Sequence, residues 1–128
     1  KHLRIKTQNL ISHFSFDETG KQESQGIGKA LDISRGGILI ETPYPIESDS
    51  LSLMAVDLED NLLEIKGKLV YSKRSSAGTY LSGIAFVGND EQMVNFVIKL
   101  VKEYNYRKSN VLIRWHRSGK PPNSPITV

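Results

Sequence analysis

The segment best equipped for chemistry is Asp32-Ile33-Ser34-Arg35-Gly36-Gly37, which sets a carboxylate and a hydroxyl two residues apart and follows them with two glycines. Side chains two apart on a strand share a face, so Asp32 and Ser34 can present acceptors and a hydroxyl to one ligand edge. The glycines permit positive φ and let a planar ligand approach the backbone. The same residue types are those that an ordinary tight turn selects, so the segment alone supports either reading.

Other chemistries lack their parts. The histidines at 2, 13 and 116 are scattered, and none lies three or four residues from another His, Asp or Glu on one helix, so no metal motif is present. With no cysteine there is neither a disulfide framework nor a thiolate zinc site, and a reducing compartment is compatible. No G-x-S-x-G, P-loop or G-x-G-x-x-G occurs, so the chain reads as a binder and not as an enzyme, with no metal and no cofactor. A net charge of +3 favours anionic partners in general.

The elements that must position this segment are mostly strands. At 128 residues, of ordinary globular composition, the chain fits one domain. Alternation or β-branched runs mark strands over 8–16, 27–33, 37–42, 51–58, 63–71 and 79–87. Polar stretches at 17–25, 59–61 and 73–78 read as turns, and Pro43 and Pro45 stop the third strand. In the fifth strand Ile65, Gly67, Leu69 and Tyr71 are expected on one face, with Lys66, Lys68 and Val70 on the other. Gly83, inside the sixth, marks a bulge or a close backbone approach. Six short strands in about 80 residues imply a small barrel or sandwich.

The period then changes. Met93, Phe96, Val97, Leu100, Val101 and Tyr104 recur three and four apart, which predicts a helix over about 90–106 that covers or plugs the barrel. Asn89 is its expected N-cap, Asp90 and Glu91 suit the helix dipole, and Gln92 can complete a capping box. Beyond it, 107–128 reads as a basic extension with one more short strand over 111–115 and a Pro-rich end. Arg107, Lys108, Arg114, Arg117 and Lys120 around Trp115 and His116 could meet single-stranded nucleic acid, though solvated terminal charge is the better account. No run is long and apolar enough to span a bilayer, no signal segment stands at the start, and the chain reads as cytoplasmic. Residue 1 is not methionine, which points to natural sequence upstream of it.

The D-x-S-x-x-G pattern of Asp32, Ser34 and Gly37, set between two apolar strands, resembles the second signature of the PilZ domain family, whose members bind cyclic di-GMP. Two further features carry the resemblance: Gly83-Ile84-Ala85-Phe86 matches a late Gly-apolar-x-Phe element, and the helix from about Asn89 follows it. The likeness covers about residues 1–106 and implies a mainly β fold, a six-stranded antiparallel barrel (about 8–87) with a C-terminal helix. Arg4 matches the second arginine of the family's R-x-x-x-R; the first would fall one position before Lys1, outside this sequence.

What the resemblance implies for function is a bacterial cyclic di-GMP receptor domain that transmits second-messenger level to a protein partner through a conformational change. Arg4 would pair with phosphate or a guanine edge and stack on the ring. Asp32 and Ser34 would hydrogen-bond a guanine, and Gly36 and Gly37 would keep the floor of the site open. Lys1, Lys6 and Arg35 are possible auxiliaries. The alternative is a degenerate PilZ-like interaction module that binds no nucleotide.

Overall fold

The computed structural model describes the backbone of residues 4–56 and 60–118, with side chains as far as Ser109. Seven strands and one helix run in the order β1 (Ile5–Lys6), β2 (Leu10–Phe16), β3 (Gln22–Ile33), β4 (Gly37–Thr42), β5 (Ser50–Val56), β6 (Leu62–Arg74), β7 (Tyr80–Val87) and α1 (Asp90–Ser118). Every pairing is antiparallel, and the order β3-β2-β5-β6-β7-β4 closes on itself because β4 also pairs with β3. The fold is therefore the expected six-stranded barrel with a C-terminal helix. The short β1 adds a seventh strand to the free end of β3, with Lys6 opposite Asp32.

The interior is filled by the inward residue of each alternating pair. Ile11, Ala30, Ile33, Ile38, Ile40, Leu51, Leu53, Ile65 and Ile84 are all buried there. Small residues let the wall close tightly: a Cβ at Gly28 would stand 2.4 Å from the Ile40 side chain. Helix α1 seals one end with Phe96 and Leu100, and the Phe96 ring meets Phe86 edge-on at 5.6 Å. The helix start is the expected capping box, in which Gln92 N donates to Asn89 Oδ1 at 2.8 Å and Asn89 N donates to Gln92 Oε1 at 3.1 Å.

Two register shifts set which residues reach the surface. Ala30 pairs with Ile40 and Asp32 with Leu39, so Leu31 is an extra residue, a β-bulge. Ala30 and Ile33 are both in the core, three apart, which a strict period of two forbids. The bulge thus turns Asp32 out of the core. A second bulge lies in β6, where Leu69 pairs with Ile84 and Tyr71 with Gly83, leaving Val70 extra.

Several boundaries differ from the alternation pattern. Strand β3 begins at Gln22, so the loop is only Asp17–Lys21; the first four residues of β3 are exposed and polar, which erased the strand signal. Strand β6 extends through Arg74 for the same reason. Tyr71 does not share the inward face of Ile65 and Leu69, because the bulge at Val70 inverts the phase and leaves it 49% exposed. Helix α1 continues to Ser118 in place of an end near 106 and a strand over 111–115. The stretch from Lys99 to Lys108 holds no Gly or Pro and includes the good helix formers Lys99, Leu100, Lys102, Glu103, Arg107 and Lys108, which carry the helix into the region read as a break.

Candidate functional site

The turn after β3 is shaped by its own short side chains. Ser34 N donates to Gly37 O at 2.9 Å, closing the Ser34–Gly37 hairpin, and Phe86 N donates to Gly36 O at 2.9 Å, tying the turn to β7. Gly37 lies so close to β7 that a Cβ there would stand 2.5 Å from Ile84 O, whereas a Cβ at Gly36 would meet nothing within 4 Å. The two glycines therefore differ in kind: Gly37 is required by a neighbouring backbone, and Gly36 leaves open space above the turn.

Arg4, immediately before β1, reaches back over this turn. Its Nε donates to Asp32 Oδ1 at 2.5 Å, and its Nη1 donates to Ser34 Oγ at 3.2 Å. The guanidinium thus uses two of its donors on the carboxylate and the hydroxyl, an arrangement that a lysine ammonium cannot copy. Strand β1 holds it in place, aided by Thr7, whose N–H donates to Leu31 O and whose hydroxyl donates to Ala30 O. Arg4 is half exposed, while Asp32 is nearly covered, so the pair stands at the rim of the fold with the cation outward.

Around the pair lies a cleft of about 560 Å³ on the outer wall of the barrel. Arg4, Asp32, Ser34, Gly36 and Gly37 all line it, so the structure brings five sequence-predicted residues together. Of the auxiliaries, Lys1 lies outside the described residues, and neither Lys6 nor Arg35 lines the cleft. Arg35 instead pairs with Asp90 at the start of α1, Nη2 to Oδ2 at 3.2 Å, linking the turn to the helix.

The remaining lining comes from residues that pattern reading did not connect with the turn, among them Leu39, Val70, Tyr71 and Gly83. A Cβ at Gly83 would fall 2.2 Å from Tyr71 Cε2, so the Tyr71 ring occupies the place of a side chain at 83. This gives Gly83-Ile84-Ala85-Phe86 a physical meaning: Gly83 makes room for Tyr71, while Ile84 and Phe86 enter the core. A glycine opposite an aromatic in adjacent strands was the available signal for this contact.

Of the basic extension, Arg107 is spent on Glu103 at 3.1 Å, and the backbone through Ser118 is helical; the side chains of Arg114, Trp115, His116 and Arg117, and all of Lys120, lie outside the described residues. Among the described residues no group of three or more His, Asp or Glu side chains could hold a metal ion, and no helix is long and apolar enough to cross a membrane.

A closed antiparallel barrel capped by a helix, with a cation, a carboxylate and a hydroxyl gathered in an open wall cleft, defines a small β-barrel domain with a candidate ligand site. The chain belongs to the PilZ domain family, whose profile matches residues 4–103. PilZ domains are binding domains.

Sequence comparison with curated proteins returns no match. Among solved structures, the PilZ domain of YcgR from Escherichia coli with c-di-GMP superposes with a TM-score of 0.58 at 12% identity, over 85% of this chain and 96% of that one. The PilZ domain of CeSA from a cellulose-synthesizing bacterium gives 0.55 at 16% identity, over 78% and 96%. The K. pneumonia MrkH–c-di-GMP complex gives 0.57 at 14% identity, over 84% of this chain and 54% of that one, so the chain spans about half the length of MrkH. At these identities the likeness is one of fold.

Proposed function

We propose that this chain is a cyclic di-GMP receptor domain of a bacterial cytoplasmic protein, and that it passes nucleotide occupancy to a protein partner. The observation that carries the reading is the convergence of Arg4, Asp32 and Ser34 by direct hydrogen bonds at the rim of one cleft. The ligand offers two anionic phosphates and two guanines. A carboxylate is suited to accept the N–H groups of a guanine edge, and a guanidinium is suited to phosphate or to O6 and N7. The cleft volume also falls in the ordinary range for small-molecule sites, roughly 300–1,000 Å³.

Arg4 engages both Asp32 and Ser34, so nucleotide binding at these acceptors is an exchange. The nucleotide takes over acceptors that Arg4 holds, and the freed guanidinium turns to the phosphate or the base. Gly36 and Gly37 keep the turn flat beneath the ligand, and Lys6, beside Asp32 on β1, adds positive potential. Ligand contacts that differ between the two positions of Arg4 shift the population of the amino-terminal segment, which is what a partner would read.

Isothermal titration of cyclic di-GMP against the chain, Arg4→Ala and Asp32→Ala tests this. Saturable binding by the parent and its loss in both variants is the expected result. A folded parent that takes up no nucleotide would leave the interaction module as the better account, with the Arg4–Asp32 pair serving only to pin β1.

A further inference from the structure

Strand β3 outruns its neighbour β4. On one side β2 pairs with it from Gln22 to Lys29, whereas on the other β4 pairs with it only from Lys29 to Ile33. Continuing the Lys29–Glu41 register would set Pro43 opposite Ile27, and a proline has no N–H to give a ladder, so β4 ends at Thr42. Among the described residues, no strand pairs with the β4 side of β3 from Gln22 to Gly28.

The direction of the free groups follows from one bond. Ala30 N donates to Asn9 O, on the β2 side. Antiparallel ladders alternate, so Gly28, Gly26 and Ser24 also turn their N–H and C=O toward β2, while Ile27, Gln25 and Glu23 turn theirs away from it. Those three residues are exposed, Ile27 to 61%, and they offer donors and acceptors in one line. The segment Gln22–Gly28 also lacks the lysine or proline that commonly blunts such an edge, and Glu23 is its single charge.

We propose that this edge joins a second copy of the chain, antiparallel about a two-fold axis at Gln25, so that the two β2–β3 hairpins form one continuous sheet. In that register Gln25 lies opposite Gln25 of the partner subunit, and Glu23 lies opposite the partner's Ile27. Every outward N–H then meets an outward C=O, a match that any other register breaks. The side chains agree with it: two Gln25 amides meet at the axis, each able to donate and accept, and Ile27 lies against the methylenes of the partner's Glu23. The two Glu23 carboxylates stand about 13 Å apart along the ladder, beyond the screening length of about 8 Å at physiological salt, so like charges do not oppose the pairing. None of these residues lines the Arg4–Asp32 cleft, which pairing leaves open.

Sedimentation velocity across a dilution series tests this, with amide hydrogen exchange at each concentration and thermal unfolding as a fold control. The expected result is a dimer that dissociates on dilution. The amides of Glu23, Gln25 and Ile27 should gain protection with concentration, while those of Ser24 and Gly26, held by β2, are protected throughout. Gln25→Lys should raise the dissociation constant severalfold, because it opposes two like charges at the axis, and an equimolar mixture of Gln25→Lys and Gln25→Glu should associate more tightly than either alone. Gln25→Pro removes an outward N–H, leaves the β2 ladder intact, and should also favour the monomer. A chain that stays monomeric at every concentration overturns the proposal, as does a dimer that is indifferent to Gln25→Lys and Gln25→Pro or that protects amides elsewhere.

Discussion

Asn9 and Glu103 lie 94 positions apart in the chain, and Asn9 Nδ2 donates to Glu103 Oε1 at 3.1 Å. Both are buried, and the same amide also approaches Leu100 O at 3.4 Å, while the Asn9 carbonyl accepts from Ala30 N at 2.7 Å. One residue between β1 and β2 therefore fastens the amino-terminal segment to β3 and to the capping helix at once. Glu103 receives its second partner from Arg107.

Removing that amide takes a hydrogen-bond donor away from a buried carboxylate. Asn9→Ala should cost about 1–3 kcal/mol of stability, the usual penalty for a buried polar group stripped of a partner. Urea unfolding followed by circular dichroism measures it, and a change below about 0.5 kcal/mol would mean that the contact is not maintained in solution.

Arg4→Lys keeps the charge and removes the fork. The half-exposed ion pair contributes little to folding, so stability should move by less than about 1 kcal/mol. Cyclic di-GMP affinity should nevertheless fall at least about tenfold, because an ammonium cannot pair in plane with phosphate or guanine. Calorimetry on the two proteins decides it; equal affinities would show that only charge is needed.

The two glycines of the turn should separate cleanly. Gly37→Ala drives a Cβ against Ile84 O and should destabilise the fold by about 1–3 kcal/mol. Gly36→Ala meets open space at an unstrained φ, so its unfolding midpoint should be unchanged or slightly raised. Thermal melts of both variants suffice, and equal losses would contradict the geometry.

His13 faces the barrel interior with its Nδ1 buried and unpartnered, and burial pushes its pKa below 6.5. The unfolded chain, with its imidazole near 6.5, then binds more protons than the native one as pH falls, so native stability declines below about pH 6.5 and is flat with respect to this group above it. Urea midpoints between pH 7.5 and 5.5 should fall in the parent and fall less in His13→Gln. Parallel profiles would remove His13 as the cause.

The barrel strands, the capping box and the Asp32–Gly37 turn were legible because each rests on local rules: period two, an Asn89–Gln92 pair, and two glycines after a short polar pair. The far wall of the cleft was not. Alternation placed Tyr71 on the same face as Ile65 and Leu69, and only the pairing of β6 with β7 exposes the extra residue at Val70. Bulges leave no mark on composition, since the inserted Leu31 and Val70 are ordinary strand residues. The overhanging start of β3 was hidden for the opposite reason: Gln22 to Gln25 is solvated on both faces, so no hydrophobic period exists to detect. The continuation of α1 was obscured by charge, which helices tolerate as readily as loops do.

Beyond Tyr104, the last half-buried residue on α1 with described side chains, the backbone stays helical for fourteen more residues to Ser118, about 21 Å of rod. A rod rooted on a barrel magnifies small rotations at its base. A tilt of about 10° carries its tip about 4 Å sideways, on this rise per residue. The root is held at Asn9 and, through Asp90, at Arg35, the two places where α1 touches the amino-terminal strap and the signature turn. A rotation of a few degrees at the root of α1 therefore reappears at Ser118 as a displacement of ångströms, set by the length of helix beyond Tyr104.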